Sequence, residues 1–399
     1  ASGGRVILSG DTRQHGAVAA SDALRAIEKH AGLKPAVIHE IRRQDPKLGT
    51  SVAERDFIRS YRGAVKAAAK GNIVESFDKL DRLGRIRELG ANDRLAALAA
   101  EYRAAIARKE KALVVAQTRE EARNVNEAIR EQLRAVKKIG AGAVLATFQP
   151  VDVSEAEKRD PRFYQRGYHA CFLRSYGRFK KGDVCEIVGA DERGLVIMKG
   201  GRESTVSFRY ADRFAVAAAS EMKIAAGDRL QLKFNGKSVE GRPLNNGELV
   251  TVHRVRDDGA LVVKNDAGAR KTLAPSQRLF VRGFAVTSYG SQGKTVDTVI
   301  FADAANRAAT DAKQWYVTIS RGRKQVVVFT SDKEALRANV QRIGDRELAL
   351  DLKTDRARTE ANHASEATRR SVTAVERSRR HDAIMESAHA KANRQHIGI

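Results

Sequence analysis

The chain has 399 residues, with 73 Lys and Arg against 49 Asp and Glu, and a formal net charge of +24 at pH 7. That length accommodates two to three domains, and a 42% hydrophobic share excludes a wholly disordered chain. No apolar run reaches the ~20 residues of a membrane span and no signal peptide is visible at the start, so a cytoplasmic protein without membrane insertion is expected.

A basic excess spread along the chain points to a polyanionic partner, above all nucleic acid. The plainer alternative is a protein with a basic surface. The two cysteines, Cys171 and Cys185, fit neither a metal motif nor a disulfide framework, and the nine histidines form no metal-binding cluster. Buried thiols and no metal are expected.

In chain order, the short run Arg5-Val6-Ile7-Leu8 reads as a strand. The chain opens almost directly on it and without Met, which suggests a piece of a longer protein. Gly10 to Gln14 is a polar turn. Residues 18–30 have helical periodicity with Ala19, Ala23, Leu24 and Ile27 on one face, stopped by Gly32 and Pro35. Ala36-Val37-Ile38 reads as a second strand, leading into 40–44 and Pro46. Residues 50–110 read as helices broken at Gly71, Gly84 and Gly90. Residues 112–116 read as a buried strand, and Thr118 can cap a helix over 120–137. Strand and helix in alternation predict an α/β fold with a parallel sheet.

From about 140 to 275 the chain changes to short strands with Gly-rich turns and carries a weak internal repeat. Residues 182–199 and 247–264 each run from a Gly through an apolar strand and an Asp/Gly turn to a second strand. The interval from Gly182 to Gly194 equals that from Gly247 to Gly259. Each unit predicts a hairpin, as in small SH3-like barrels, although any two hairpins share this pattern. Strands return at 284–287, 299–301 and 326–329, so the β region reads as an insertion in an α/β domain. From about 353 the chain is polar and Pro-free, a solvated helix or disordered tail.

Gly290-Ser291-Gln292-Gly293-Lys294-Thr295 looks like the end of a phosphate-binding loop. That loop needs a Gly where Ser288 stands, and it must open a helix whose N-terminus meets the phosphates. Here the chain runs straight on to the strand at 299–301, so the string is not such a loop.

The same string, taken as Ala285 to Asp297, resembles motif V of RecD-like superfamily 1 helicases. Trp315 to Arg323 resembles motif VI, Leu8 to Gln14 motif III and Ile41 to Gln44 motif IV. Ala116-Gln117-Thr118, with Asn126, resembles the strand and helix that open the second motor domain. The order and rough spacing match across residues 1–335, most like the helicase part of MobF-type conjugative relaxases.

That resemblance implies a RecA-like P-loop NTPase motor fold. Residues 1–45 would end domain 1A, 46–140 begin domain 2A, 141–278 form an inserted SH3-like domain 2B, 279–350 complete domain 2A, and 351–399 form the tail. It implies ATP and Mg²⁺ as cofactors and 5′→3′ translocation on single-stranded DNA in conjugative transfer. The missing N-terminal half of the motor would be a partner, with relaxosome and coupling proteins as further partners. Arg321 would be the arginine finger, Arg43 a second γ-phosphate contact and Gln14 the γ-phosphate sensor. Asp11, Gln292, Gly293 and Lys294 would sit at the nucleotide, and Thr118, Thr287, Ser288, Tyr289 and Thr295 at the DNA. The chain departs from the family in lacking the phosphate loop and the Asp-Glu pair of motif II, so by itself it is expected to be inactive. A DNA-binding module on a degenerate motor, a repair-type subunit and an RNA helicase are the competing readings. Residue by residue the plainer roles are a surface salt bridge for Arg321, Arg323, Arg42 or Arg43, turn positions for Asp11 and Gln14, and core packing for Trp315 and Tyr289.

Overall fold

The computed structural model describes residues 7–15, 23–31, 36–38, 40–304 and 310–343. The chain divides into two compact units, one of 1–12, 16–39 and 344–399, the other of 13–15 and 40–343.

In the first unit the described helix is α1 (Ala23–His30), which buries none of its side chains. Of the strands expected at 5–8 and 36–38, the described residues 7–8 and 36–38 form no strand. Ile7 and Leu8 are exposed, as are Val37 and Ile38, and these residues have no ladder partner among the described residues. An apolar β-branched run becomes a strand only where a neighbouring strand and a packed face receive it. Val6, the first part of the expected helix and the tail from 351 lie outside the described residues.

The second unit begins with α2 (Val52–Ala69). Ser51 caps it by accepting from the Glu54 amide, and the Glu54 carboxylate accepts from the Thr50 amide at 2.6 Å, so the orphan amides of the first turn are satisfied. Gly71, at φ +88°, turns the chain into α3 (Ile73–Arg82). A short strand follows where only a helix break was expected, β1 (Ile86–Glu88). Then come α4 (Ala91–Ala107), β2 (Ala112–Ala116), buried throughout, and α5 (Arg119–Ala135). Thr118 caps α5 through its hydroxyl, which accepts from the Glu121 amide.

The β-rich stretch runs β3 (Gly142–Pro150), β4 (Tyr168–Phe172), β5 (Val184–Asp191), β6 (Gly194–Lys199), β7 (Arg202–Val206), a 3₁₀ turn (Phe208–Arg213) and β8 (Phe214–Ala225). It continues with β9 (Arg229–Leu232), β10 (Gly236–Lys237), β11 (Pro243–Leu244), β12 (Leu249–Val255), β13 (Leu261–Asn265), β14 (Arg270–Leu273) and β15 (Phe280–Arg282). Two antiparallel sheets result, ordered β3-β8-β4-β5-β6-β7 and β14-β13-β12-β9-β15. The strand order β8-β4-β5-β6-β7 is that of β15-β9-β12-β13-β14 with the labels changed. The repeat read from two hairpins therefore extends to five strands. Both hairpins also carry a bulge at the same place, between Ile187 and Gly189 and between Val252 and Arg254.

The chain then returns with β16 (Ala285–Thr287), the single turn α6 (Ser288–Ser291), β17 (Val296–Asp303), α7 (Ala312–Ile319), β18 (Gly322–Thr330) and α8 (Lys333–Asn339). These strands join β1 and β2 in one parallel sheet, β1-β18-β17-β2-β16, so the expected α/β architecture is present. Its strands alternate between two apolar layers. Val299 and Phe301 face one core with Trp315, Phe77 and Tyr61, whereas Ile300 and Ala302 face another with Ile129, Tyr102 and Leu98. Burial on both faces is why the central strands read as unbroken apolar runs.

The β-rich stretch is tied to this sheet by a buried ion cluster. Arg130 of α5 donates to both Asp228 carboxylate oxygens at 2.7 and 3.1 Å, and Arg282 reaches one of them at 3.3 Å.

Candidate functional site

The site is built on the turn from α7 to β18, where three carbonyls point away from the helix and are met by side chains. The Tyr61 hydroxyl of α2 donates to the Ile319 carbonyl. Arg43 donates to the Ser320 carbonyl, and Gln44 donates to Ser320 at 3.3 Å and also to Gly322. Gly322 is glycine for a steric reason: a Cβ there would lie 2.5 Å from the Gln325 carbonyl oxygen.

Held in this turn, Arg321 is 3% exposed. Its Nε donates to the Val317 carbonyl at 2.8 Å, and its Nη2 lies 3.2 Å from the Ser320 hydroxyl and 3.4 Å from the Gln14 amide oxygen. Arg43 turns its Nε to the Thr295 hydroxyl at 3.1 Å. Burial holds the Arg43 guanidinium below its ordinary value and raises the Tyr61 phenol; arginine remains a cation after such a shift.

Arg321, Arg43, Gln44 and Gln14 line a cleft of about 490 Å³, together with Gln292 and Gly293. Arg42, Arg43 and Arg321 all border it, and among the described residues that line it none is acidic. Guanidinium groups gathered in one cleft suit a polyanion such as a triphosphate, since each presents a planar fork of donors. The salt-bridge alternative describes Arg323, which is paired with Asp297 at 2.6 Å, and Arg42, which pairs with Glu40 at 2.9 Å.

One residue of this region escaped the sequence reading. The His15 ring stacks on Tyr289, with centroids 4.0 Å apart and planes 13° from parallel. Its Nε2 shares a 2.6 Å hydrogen bond with the Ser288 hydroxyl. Burial pulls its pKa down to about 4; Asp311 opposes this, and Arg321 and Lys313 add to it. Near neutral pH the imidazole is uncharged. The only sequence signal was its place beside Gln14 in a polar turn.

The other expected residues fall in three places. Thr287, Ser288 and Tyr289 stand at the C-terminal end of β16, beside the end of β2 where Thr118 begins α5. That edge of a parallel sheet is where α/β folds place ligands. Tyr289 is 54% exposed, and Ser288 is buried under His15. The Thr287 hydroxyl caps α6 at Gly290; like that of Thr118 it accepts in this role and keeps a proton to donate. Lys294 points elsewhere. Its ammonium donates to the Gly247 carbonyl at 2.6 Å, does not line the cleft, and has its pKa lowered by burial. Asp11 is exposed and belongs to the first compact unit.

Neither Gly-Lys string opens a helix. After Ser291 the backbone extends at Gln292, turns at Gly293 (φ +78°) and enters β17. Gly293-Lys294-Thr295 is not the only Gly-Lys-Ser/Thr string, contrary to expectation: Gly236-Lys237-Ser238 is a second, with Gly236 and Lys237 on β10. Among the described residues no group of three or more His, Cys, Asp or Glu could hold a metal ion, and no helix is long and apolar enough to cross a membrane. Cys171 and Cys185 are buried free thiols, and burial raises both pKa values, that of Cys171 to about 12.

Residues 1–91 match a protein-family model described as an AAA domain. No curated protein matches the chain. Solved structures that resemble it include Pif1 from Bacteroides bound to single-stranded DNA, at 15% identity and a TM-score of 0.35 over 81% of this chain and 56% of that one. A second describes two coordinating Pif1 helicases at forked double-stranded DNA, at 15% identity and 0.34 over 81% and 54%. A third is Pif1 from Candida albicans, at 12% identity and 0.27 over 74% and 56%. The chain spans about half the length of these structures.

Proposed function

We propose that this chain supplies one face of an ATP-driven motor that moves along single-stranded DNA. The observation that carries the reading is the placement of Arg321, buried yet bordering a cleft with Arg43, Gln14 and Gln292. The AAA family match over residues 1–91 and the basic net charge support it. In such a motor a second face holds the phosphates and Mg²⁺, while arginines from this face stabilise charge on the transferring phosphoryl group. Arg321 acts as the finger and Arg43 as a second γ-phosphate contact. Gln14, within reach of Arg321, senses the nucleotide, and Gln292 and Gly293 close the cleft. Asp11 and Lys294 are the nucleotide contacts with least geometric support.

On the DNA side, Thr118, Thr287, Ser288, Tyr289 and Thr295 grip the strand, the hydroxyls through phosphates and Tyr289 by stacking. The finer reading follows the resemblance: residues 1–45 end domain 1A, 46–140 and 279–350 form domain 2A, and 141–278 an SH3-like 2B domain. The five-strand order found twice in that stretch, each time with the last strand returning beside the first, supports the SH3-like reading. Movement 5′→3′ and a role in conjugative transfer complete the proposal.

The experiment is reconstitution. The chain alone is expected to hydrolyse no ATP above background. Joined to a segment carrying the phosphate-binding loop, it should hydrolyse ATP in a DNA-stimulated manner. Reconstituted turnover that survives Arg321→Ala unchanged would contradict the proposal.

A further inference from the structure

We infer that the first of the two repeated β units carries a second single-stranded nucleic-acid site, on the face formed by residues 173–181 and the 3₁₀ turn Phe208–Arg213. This site is separate from the cleft and the β16 edge, and it does not rest on the motor reading.

Three observations meet there. First, Tyr176 and Tyr210 come together with ring centroids 4.6 Å apart, and the Arg213 guanidinium sits 5.7 and 5.1 Å from the two rings. Both tyrosines are only half-buried. Second, Arg174, Arg178, Lys180, Lys181 and Arg209 are exposed around the pair. Two acids of this face are already paired, Asp212 with Arg174 at 3.4 Å and Asp183 with Lys199, and the exposed Lys and Arg side chains outnumber them. Third, the loop is fixed in advance. Tyr176 and Phe179 exchange two backbone hydrogen bonds of 2.9 Å around Gly177 (φ +53°), and Arg213 donates to the Ser175 carbonyl at 3.2 Å.

In the second copy of the same fold the chain itself covers this face. There the corresponding loop folds over as the β10–β11 hairpin, Phe234 is buried, and Gln277 donates to the Lys237 carbonyl at 2.8 Å. Arg278 is 8% exposed and donates to the Gly259 carbonyl at 2.6 Å. One copy has closed its face with its own chain, whereas the other presents aromatic rings rimmed by cations. Aromatic rings offer stacking surfaces to unpaired bases, and a rim of Lys and Arg neutralises the phosphates. A paired duplex hides its base faces, so the single strand is the occupant that uses both features.

The test uses the full chain and a fluorescein-labelled oligo(dT). Tyr176→Ala and Tyr210→Ala should each weaken binding roughly 5- to 100-fold, the usual range for one lost base stack, while Tyr176→Phe binds as wild type. Lys180→Ala with Lys181→Ala should lower the salt dependence of binding by about 1.4 in log–log slope, 0.7 per lost phosphate contact. An oligonucleotide bearing 5-iodouracil should crosslink at Tyr176 or Tyr210 on irradiation, also in a Tyr289→Ala background, which separates this site from the β16 edge. Natively folded variants with wild-type affinity and salt slope, crosslinks confined to other segments, or equal competition by a duplex of the same length would each overturn the assignment.

Discussion

Arg321 and Gln14 are separated by 307 positions in the chain, and they meet with Nη2 3.4 Å from Oε1. Arg321 also donates Nε to the Val317 carbonyl and directs an edge of its fork to the Ser320 hydroxyl. Such neutral acceptors are exchanged for an anionic ligand at lower cost than a carboxylate partner would be.

The first prediction follows from that arrangement. In the reconstituted motor Arg321→Lys should reduce kcat by roughly three orders of magnitude or more, since an ammonium cannot reproduce the bidentate fork. The fold should survive, because a lysine can still donate to the Val317 carbonyl. The measurement is steady-state ATP turnover beside a thermal melt. A rate loss of less than tenfold, with an unchanged melt, would remove Arg321 from the transition state.

The second prediction concerns pH. The folded His15 has a pKa near 4, below its ordinary 6.5. Between those values the unfolded chain binds a proton that the folded chain does not, so stability falls as pH drops through this window and levels off below it. Asp311 faces the ring as a counter-charge, while Arg321 and Lys313 repel the protonated form. The loss should be about 3 kcal/mol. Carboxylates also titrate in this range, so the readout is a difference: His15→Gln should show a shallower decline of melting temperature than wild type from about pH 6.5 to 4. Parallel declines for the two proteins would place the histidine's titration outside folding.

Part of this was legible beforehand for identifiable reasons. The strands at 112–116, 299–301 and 326–329 announce themselves because a parallel sheet covered on both faces needs unbroken apolar runs. The tandem hairpins show in the spacing of Gly182, Gly194, Gly247 and Gly259, all of which adopt positive φ. By contrast β1, Ile-Arg-Glu, buries only Ile86. An edge strand of three residues needs one inward side chain, and no periodicity can reveal it. The runs at 7–8 and 36–38 had the right composition and lie exposed, since composition does not supply a neighbouring strand. At the site, Arg321, Arg43 and Gln14 were reachable because they occur in ordered motifs. Gln44 lies in one of those motifs without a role of its own, and His15 and Tyr61 lie in no motif with a role, each being defined by a partner more than 250 positions away.

A third prediction tests the join between the parallel sheet and the β-rich stretch. Asp228 is fully buried, receives Arg130 through two hydrogen bonds, also meets Arg282, and accepts from the Ala225 amide at 2.8 Å. Asp228→Asn removes the charge and leaves two buried guanidinium groups facing an amide. Breaking one side of such a cluster costs about 3–5 kcal/mol. The melting temperature should fall, and proteolysis should open first between α5 and β9. An equally stable Asn variant would show that the arginines find other acceptors.

The fourth prediction separates support of the turn from contact with nucleotide. Gln44 is fully buried, and its amide nitrogen donates to the Ser320 and Gly322 carbonyls on either side of Arg321. Its own amide oxygen has no hydrogen-bond partner. Gln44→Leu keeps the volume but takes one donor from each carbonyl, leaving Ser320 to Arg43 and Gly322 to a 3.4 Å contact from the Tyr61 hydroxyl, a loss of about 1 kcal/mol per hydrogen bond. Gln44→Glu should be worse, since a buried carboxylate facing carbonyl oxygens donates to neither of them, and even when protonated it donates to only one. Because Arg43 and Tyr61 still hold the turn, the leucine variant should fold while Arg321 loses its fixed position. In the reconstituted motor kcat should then fall tenfold or more, while KM for ATP changes little, because a misplaced finger weakens the transition state more than the ground state. A rise in KM at constant kcat would instead identify Gln44 as a direct contact to the bound nucleotide.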